Sequence, residues 1–174
     1  MPNELPQRPR CYVSSDHAVS TKRGTDFTCL IPFGIDAVGN IWILPDVWWK
    51  KAGTDIVVNA MLKIMKDRKP IAWWAERGHN TQSIGPFLKK RMREEETFCL
   101  IDEIVPSGDK EQRSQAIVGR MSMKMVMFPK FAPWYADALD QMLKFPAATH
   151  DDFVDAMSLI GLGLSKQISA PGPG

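Results

Sequence analysis

Three runs of β-branched and aromatic residues occupy the first fifty positions: RCYVSS (10–15), DFTCLIPFGI (26–35) and IWILPDVWW (41–49). Polar or glycine-containing stretches such as AVGN separate them, which is the pattern of strands joined by short turns. They predict a three-strand antiparallel meander. The pattern then changes. GTDIVVNAMLKIMKDR (53–68) sets Ile56, Val57, Ala60, Met61 and Ile64 at helical spacing, with Thr54 or Asp55 as the expected cap and Pro70 beyond the end. A short strand PIAWWAE (70–76), a helix through IGPFLKKRMREEE (84–96) and a strand FCLIDEIV (98–105) follow. After these come a helix from about Asp109 to Met121, a short strand KMVMF (124–128), a helix WYADALDQMLKF (134–145) and a last helix in 147–163. A meander followed by strand–helix alternation predicts an α/β chain with a mixed sheet and helices on both faces.

With 174 residues, 44% of them hydrophobic, the chain is expected to form one domain over residues 10–165. Residues 1–9 are expected to be a flexible N-terminus. The tail 166–174, ending in SAPGPG, has nothing to bury and is expected to be disordered. MPNELPQRPR carries acid and prolines where a signal peptide has its apolar segment, and no run reaches the ~18 apolar residues of a membrane span. Cys11, Cys29 and Cys99 are odd in number and form no C-x-x-C pair, so reduced thiols in a cytoplasmic protein are expected. A net charge of +2 does not by itself point to nucleic acid; local basic patches would have to do so.

The segment ATHDDFVDAMSLIGLGL (147–163) opens an apolar helix with three carboxylates, Asp151, Asp152 and Asp155. At helical period they share roughly a 100° arc. An N-cap role for Asp151 accounts for one of the three. Two further acids stand at strand ends: Asp16 after the first strand, and Glu76 after IAWWA with Gly78 freeing the chain to turn. Strand ends and helix starts are where sheets of this class place their chemistry. Several carboxylates there suit hard divalent cations, two of which, about 4 Å apart, can activate water and stabilise the leaving oxygen in phosphoryl displacement.

The ordered set SSDHAVSTKRGTDFT, WWAERGHNTQSIGPFL, DKEQRSQAI and FPAATHDDFVDAMS resembles the C-terminal nuclease domain of tailed-phage large terminase subunits. The resemblance covers nearly the whole chain, and its most specific piece is the closing FP…HDD…DA. It implies a ribonuclease H-like fold and an endonuclease that cuts concatemeric viral DNA during packaging in the host cytoplasm. It also implies two Mg²⁺ or Mn²⁺ ions. Carried over by position, Asp16, Glu76 and Asp152 are the expected catalytic ligands, with Asp155 bridging or behind them. Asp26, Asp151, His17 and His150 are candidates for supporting them. Lys22, Arg23, Lys110 and Arg113 are the expected DNA contacts. The implied partners are double-stranded DNA, the portal protein, the small terminase subunit and a separate ATPase domain. The last is required because no G-x-x-x-x-G-K-[ST] phosphate loop occurs here, so an excised domain or separately encoded nuclease without ATPase activity is expected. The rivals are a junction resolvase or ribonuclease H on the same fold, and a cleavage-inactive module that docks on DNA or portal.

Two other features have plainer readings. The basic run Lys89, Lys90, Arg91 and Arg93 is expected to be a solvated helix face. The six tryptophans are expected mostly to pack the core rather than stack on bases.

Overall fold

Every residue of the strand β2 (Thr28–Ile35) is buried. Such a strand must be covered on both faces, which explains why its sequence runs apolar without alternating. The computed structural model describes residues 9–18, 27–106, 108–147 and 150–169. Along these run β1 (Arg10–Asp16), β2, β3 (Ile41–Ile43), β4 (Trp48–Lys50), α1 (Thr54–Arg68), β5 (Ala72–Glu76) and α2 (His79–Glu94). They continue with β6 (Leu100–Ile104), α3 (Lys110–Ser122), β7 (Val126–Met127), α4 (Tyr135–Lys144) and α5 (Asp152–Ser169). Among the described residues no helix is long and apolar enough to cross a membrane.

The strands form one mixed sheet in the order β6-β5-β1-β2-β3-β7, with β4 also paired to β2. β2 is antiparallel to β1, β3 and β4. β1, β5 and β6 run parallel, as do β3 and β7. The third expected strand is in fact two. Pro45 and Asp46 form a turn that splits 41–49, and the halves pair with successive stretches of β2: Ile41–Ile43 with Phe33–Ile35, and Trp48–Lys50 with Thr28–Leu30. The chain turns at Pro45 and Asp46, where proline offers no N–H to the ladder.

Other boundaries also differ from the sequence reading. Gly53 precedes α1 and no side chain caps it, so neither Thr54 nor Asp55 fills that role. The helix buries Val57, Val58, Met61, Leu62, Ile64 and Met65, while Ile56 is 52% exposed. α2 begins at His79, five positions before Ile84. α5 runs to Ser169, so the first four positions of the expected tail 166–174 are helical.

The sheet separates two cores. Val13, Leu30, Trp73 and Ala75 pack with the apolar faces of α1 and α2 on one side. Tyr12, Phe33 and Trp74 pack with Phe153, Met157 and Ile160 of α5 on the other. α5 lies close because it has glycine where it touches its neighbours. A Cβ at Gly163 would stand 2.4 Å from the Trp74 ring, and one at Gly161 would stand 2.7 Å from the Ile117 backbone nitrogen of α3. The GLG of the last helix is therefore a packing surface, and it fixes how near the acids at the start of α5 come to the ends of β1 and β5.

Candidate active site

Side chains alternate across a strand, so residues two apart share a face. Ser14 of β1 faces α5: its hydroxyl donates to the Ala156 carbonyl at 2.7 Å. Asp16 follows on the same face. On the neighbouring parallel strand Ser14 is in register with Trp74 and Ser15 with Ala75, so Glu76 comes level with Asp16 at the adjoining strand end. α5 then brings Asp151, Asp152 and Asp155 over this edge. The carboxyl of Asp16 is held well above the usual carboxylate range, first by burial, then by the charges of Asp155, Asp152, Glu76 and Asp151. Acids 60 to 139 positions apart in sequence thus act on one group.

Each carboxylate on α5 has a distinct surrounding. Asp152 is 9% exposed and accepts the indole N–H of Trp49 on β4. Burial raises its carboxyl; the Trp49 hydrogen bond opposes the rise. Asp155 is raised to about 6, mainly by burial and then by Asp151, with Lys110 and Arg113 acting in the opposite direction. Among the charges that raise Asp16, that of Asp155 comes first and that of Asp152 second. Asp151 is paired with the Lys110 ammonium.

The expected cap at Asp151 is not what satisfies the start of α5. The side-chain carbonyl of Gln141 on α4 accepts the backbone N–H groups of Phe153 at 2.7 Å and Val154 at 3.1 Å. Those are the donors an N-cap side chain normally serves. The Asp151 carboxylate is directed to Lys110 instead.

Lys110 and Arg113 lie in the first turn of α3, which Asp109 and Gln112 begin with a reciprocal capping box. Their side chains reach the cluster: Lys110 Nζ is 3.8 Å from Asp155, and Arg113 Nη1 is 3.7 Å from Glu76. His150 also stands at the edge, where its charge lowers the Asp152 carboxyl and its ring meets Phe27 at 6.2 Å. His17 is elsewhere. Alternation carries it to the α1 and α2 side with Ser15, whose hydroxyl lies 2.8 Å from His17 Nε2 and accepts the Trp73 indole N–H at 2.8 Å. Burial lowers the imidazole to about 4, and it lines a cleft of about 570 Å³ beneath α2 instead of supporting the acids. Asp26, Lys22 and Arg23 lie outside the described residues. The basic run divides: Arg91 bonds Asn59 and Glu95, tying α2 to α1, while Lys89, Lys90 and Arg93 line the rim of the cleft beneath α2.

The donor set is all oxygen and repels itself, which is the chemistry that a hard divalent cation relieves. Asp16, Glu76, Asp152 and Asp155 are the residues that would hold such a cation. Among the described residues no three His, Cys, Asp or Glu side chains already converge at ligand spacing. The side-chain directions explain this: Asp151, Asp155 and Glu76 lean toward Lys110 and Arg113, and Asp152 toward Trp49. Trp49 and Gln141 are the members that sequence reasoning did not single out for the site. Trp49 reads as one more core aromatic, and nothing local marks Gln141 as a cap for a helix that begins eleven positions later.

No protein-family model matches the chain, and no curated protein matches it in sequence. Solved structures do match in shape. The large terminase of a thermophilic bacteriophage superposes with a TM-score of 0.67 at 11% identity, over 95% of this chain and 41% of that one. This chain therefore spans about two-fifths of that terminase. The large terminase nuclease of a second thermophilic phage, G20c, solved with bound zinc, gives 0.61 at 16% identity, over 90% of this chain and 82% of that one. The fowlpox virus resolvase, solved with Holliday junction DNA, gives 0.53 at 14% identity, over 92% of this chain and 99% of that one. The sheet order, the helices on both faces and these superpositions together give the chain the ribonuclease H-like fold that large terminase nuclease domains have.

Proposed function

We propose that the chain is a divalent-metal-dependent DNA endonuclease of the large terminase type, cutting concatemeric viral DNA during genome packaging. The observation that carries this reading is that the register of β1 with β5 and the contact of β1 with α5 put Asp16, Glu76 and the acids at the start of α5 at one edge of the sheet. The zinc in the G20c nuclease and the DNA in the fowlpox resolvase complex support it by likeness of fold. Two ions, Mg²⁺ or Mn²⁺, would supply water activation and stabilisation of the leaving oxygen. The residues of the chain do the rest. Asp16, Glu76, Asp152 and Asp155 would hold the ions, and the Trp49 indole N–H donates to Asp152 and orients its carboxylate. Lys110 and Arg113 lie against the acids, Lys110 beside Asp151 and Arg113 3.7 Å from Glu76, and are the cations that would meet a DNA phosphate there. The implied partners are duplex DNA, portal, the small terminase subunit and a separate ATPase, all in the host cytoplasm.

A junction resolvase is the second reading, favoured by the 99% coverage of the fowlpox enzyme against 41% of the first phage terminase. A plasmid-nicking assay with Mg²⁺, Mn²⁺ or EDTA tests the proposal. Nicking with either ion and none in EDTA is expected; equal activity in EDTA would remove the metal assignment. Cleavage of a four-way junction well ahead of linear duplex would move the assignment to the resolvase.

A further inference from the structure

The tryptophans separate into groups that their sequence does not distinguish. Trp73 and Trp74 are 0% and 1% exposed and belong to the two cores. Trp49 and Trp134 instead line an open cleft of about 860 Å³, with Phe27 as a third ring on its wall. Asp152 also lines this cleft, so it opens directly off the carboxylate cluster. Its size is that of a site for one small organic ligand.

The rings are braced from behind. Trp49 packs on Phe153 at 5.4 Å and meets Phe27 edge-on at 6.4 Å. Trp134 packs on the same Phe153 at 5.7 Å, and its indole N–H donates to the Pro45 carbonyl at 2.9 Å. They are held in place without a ligand, so binding need not order them. Charge is distributed around them. Lys50 lines the cleft, the Lys51 ammonium lies 4.9 Å over the Phe27 ring, and the Asp137 carboxylate is on the wall. Aromatic walls take a planar base, lysines take phosphate, and a carboxylate accepts from an exocyclic amine. A base paired and stacked within a duplex cannot enter such a cleft; an unpaired one can.

We propose that this cleft holds one unpaired nucleotide of the DNA strand whose phosphate lies at the carboxylate cluster. The preferred substrate is then DNA with a bulge, gap or flap at the cut, rather than perfect duplex. This rests on the nuclease reading above and adds its substrate class.

The test uses the full chain and two labelled DNAs, a perfect duplex and the same duplex carrying one unpaired 2-aminopurine. Initial cleavage rates are measured with Mn²⁺, and 2-aminopurine fluorescence is measured separately in EDTA at low salt. The expected results are a preference for the unpaired substrate on the order of fivefold or more, and quenching of the fluorophore on binding. Lys50→Gln and Asp137→Asn, both surface changes, should shrink the preference toward unity; Trp134→Leu should abolish the quenching. Equal rates on the two DNAs with unchanged fluorescence would overturn the proposal while leaving the nuclease reading intact. So would a preference that survives all three variants. Quenching without cleavage of either DNA would retain the cleft and refute the nuclease.

Discussion

Gln141 of α4 caps α5 across eleven intervening residues, its side-chain oxygen accepting the Phe153 amide at 2.7 Å. The Val154 amide shares that oxygen at 3.1 Å. Because the cap comes from another helix, all three carboxylates at the start of α5 are released for the site. Gln141 is 7% exposed, so its removal leaves two buried N–H groups without that acceptor. Gln141→Ala is expected to destabilise the protein by about 1–3 kcal/mol in urea denaturation. Asp151→Ala removes only a partly exposed ion pair and should change stability by about 1 kcal/mol or less. The reverse order would return the cap to Asp151.

Asp16 is the most crowded acid, raised by burial and by four other carboxylates. Asp16→Asn removes the charge and keeps the shape. In EDTA this variant should melt at or above the wild-type temperature, whereas most substitutions at a half-buried position lower it. The stabilisation that millimolar Mn²⁺ gives wild type should shrink in the same variant, since an ion that binds only the folded state stabilises by mass action. Differential scanning calorimetry reads both. A wild-type Mn²⁺ shift in Asp16→Asn would take Asp16 out of the metal site.

Asp155 gives the metal-free protein a pH dependence of stability. Its carboxyl is raised from the ordinary 3.8 to about 6 in the fold. Between those values the folded chain binds more protons than the unfolded one, so raising the pH through this window costs stability. The penalty from this group is absent below 3.8 and complete above about 6, and the raised carboxyl of Asp16 acts in the same direction. Urea midpoints in EDTA should therefore fall between pH 4 and pH 7 by more in wild type than in Asp155→Asn. Identical slopes would exclude Asp155 as the source.

Lys110 neutralises Asp151 and Asp155 from α3. Lys110→Met leaves the acids with less positive charge beside them, so the variant should be less stable than wild type in EDTA and regain the difference in Mn²⁺. If Lys110 also meets the DNA backbone, the salt slope of DNA binding should fall by about one. Thermal melts and salt-titrated fluorescence anisotropy measure the two effects. An unchanged slope would confine Lys110 to the acids.

Much of the architecture follows from local pattern. β1, β2, β5 and α1 are legible because each carries a strand or helix pattern over its own length, and Asp16 and Glu76 are legible as strand ends because Gly78 and the polar sequence after Asp16 break the apolar runs. The crowding of Asp151, Asp152 and Asp155 is visible in their spacing, but their role is not. Which acid does what is a tertiary matter. Trp49 points at Asp152 only because Pro45 splits the third run and returns β4 to β2, and Gln141 is a cap only because α4 packs beside α5. His17 leaves the cluster because alternation carries it through the sheet to the side opposite Asp16. The two buried tryptophans and the two that line the cleft differ by the layer they meet, and sequence period does not encode that. Local sequence determined the elements and the positions of the acids, since those depend on torsional preference and period. The pairing of distant segments decided the hydrogen-bond partners, the charge neighbours and the open aromatic cleft, since these arise only where separate layers pack together.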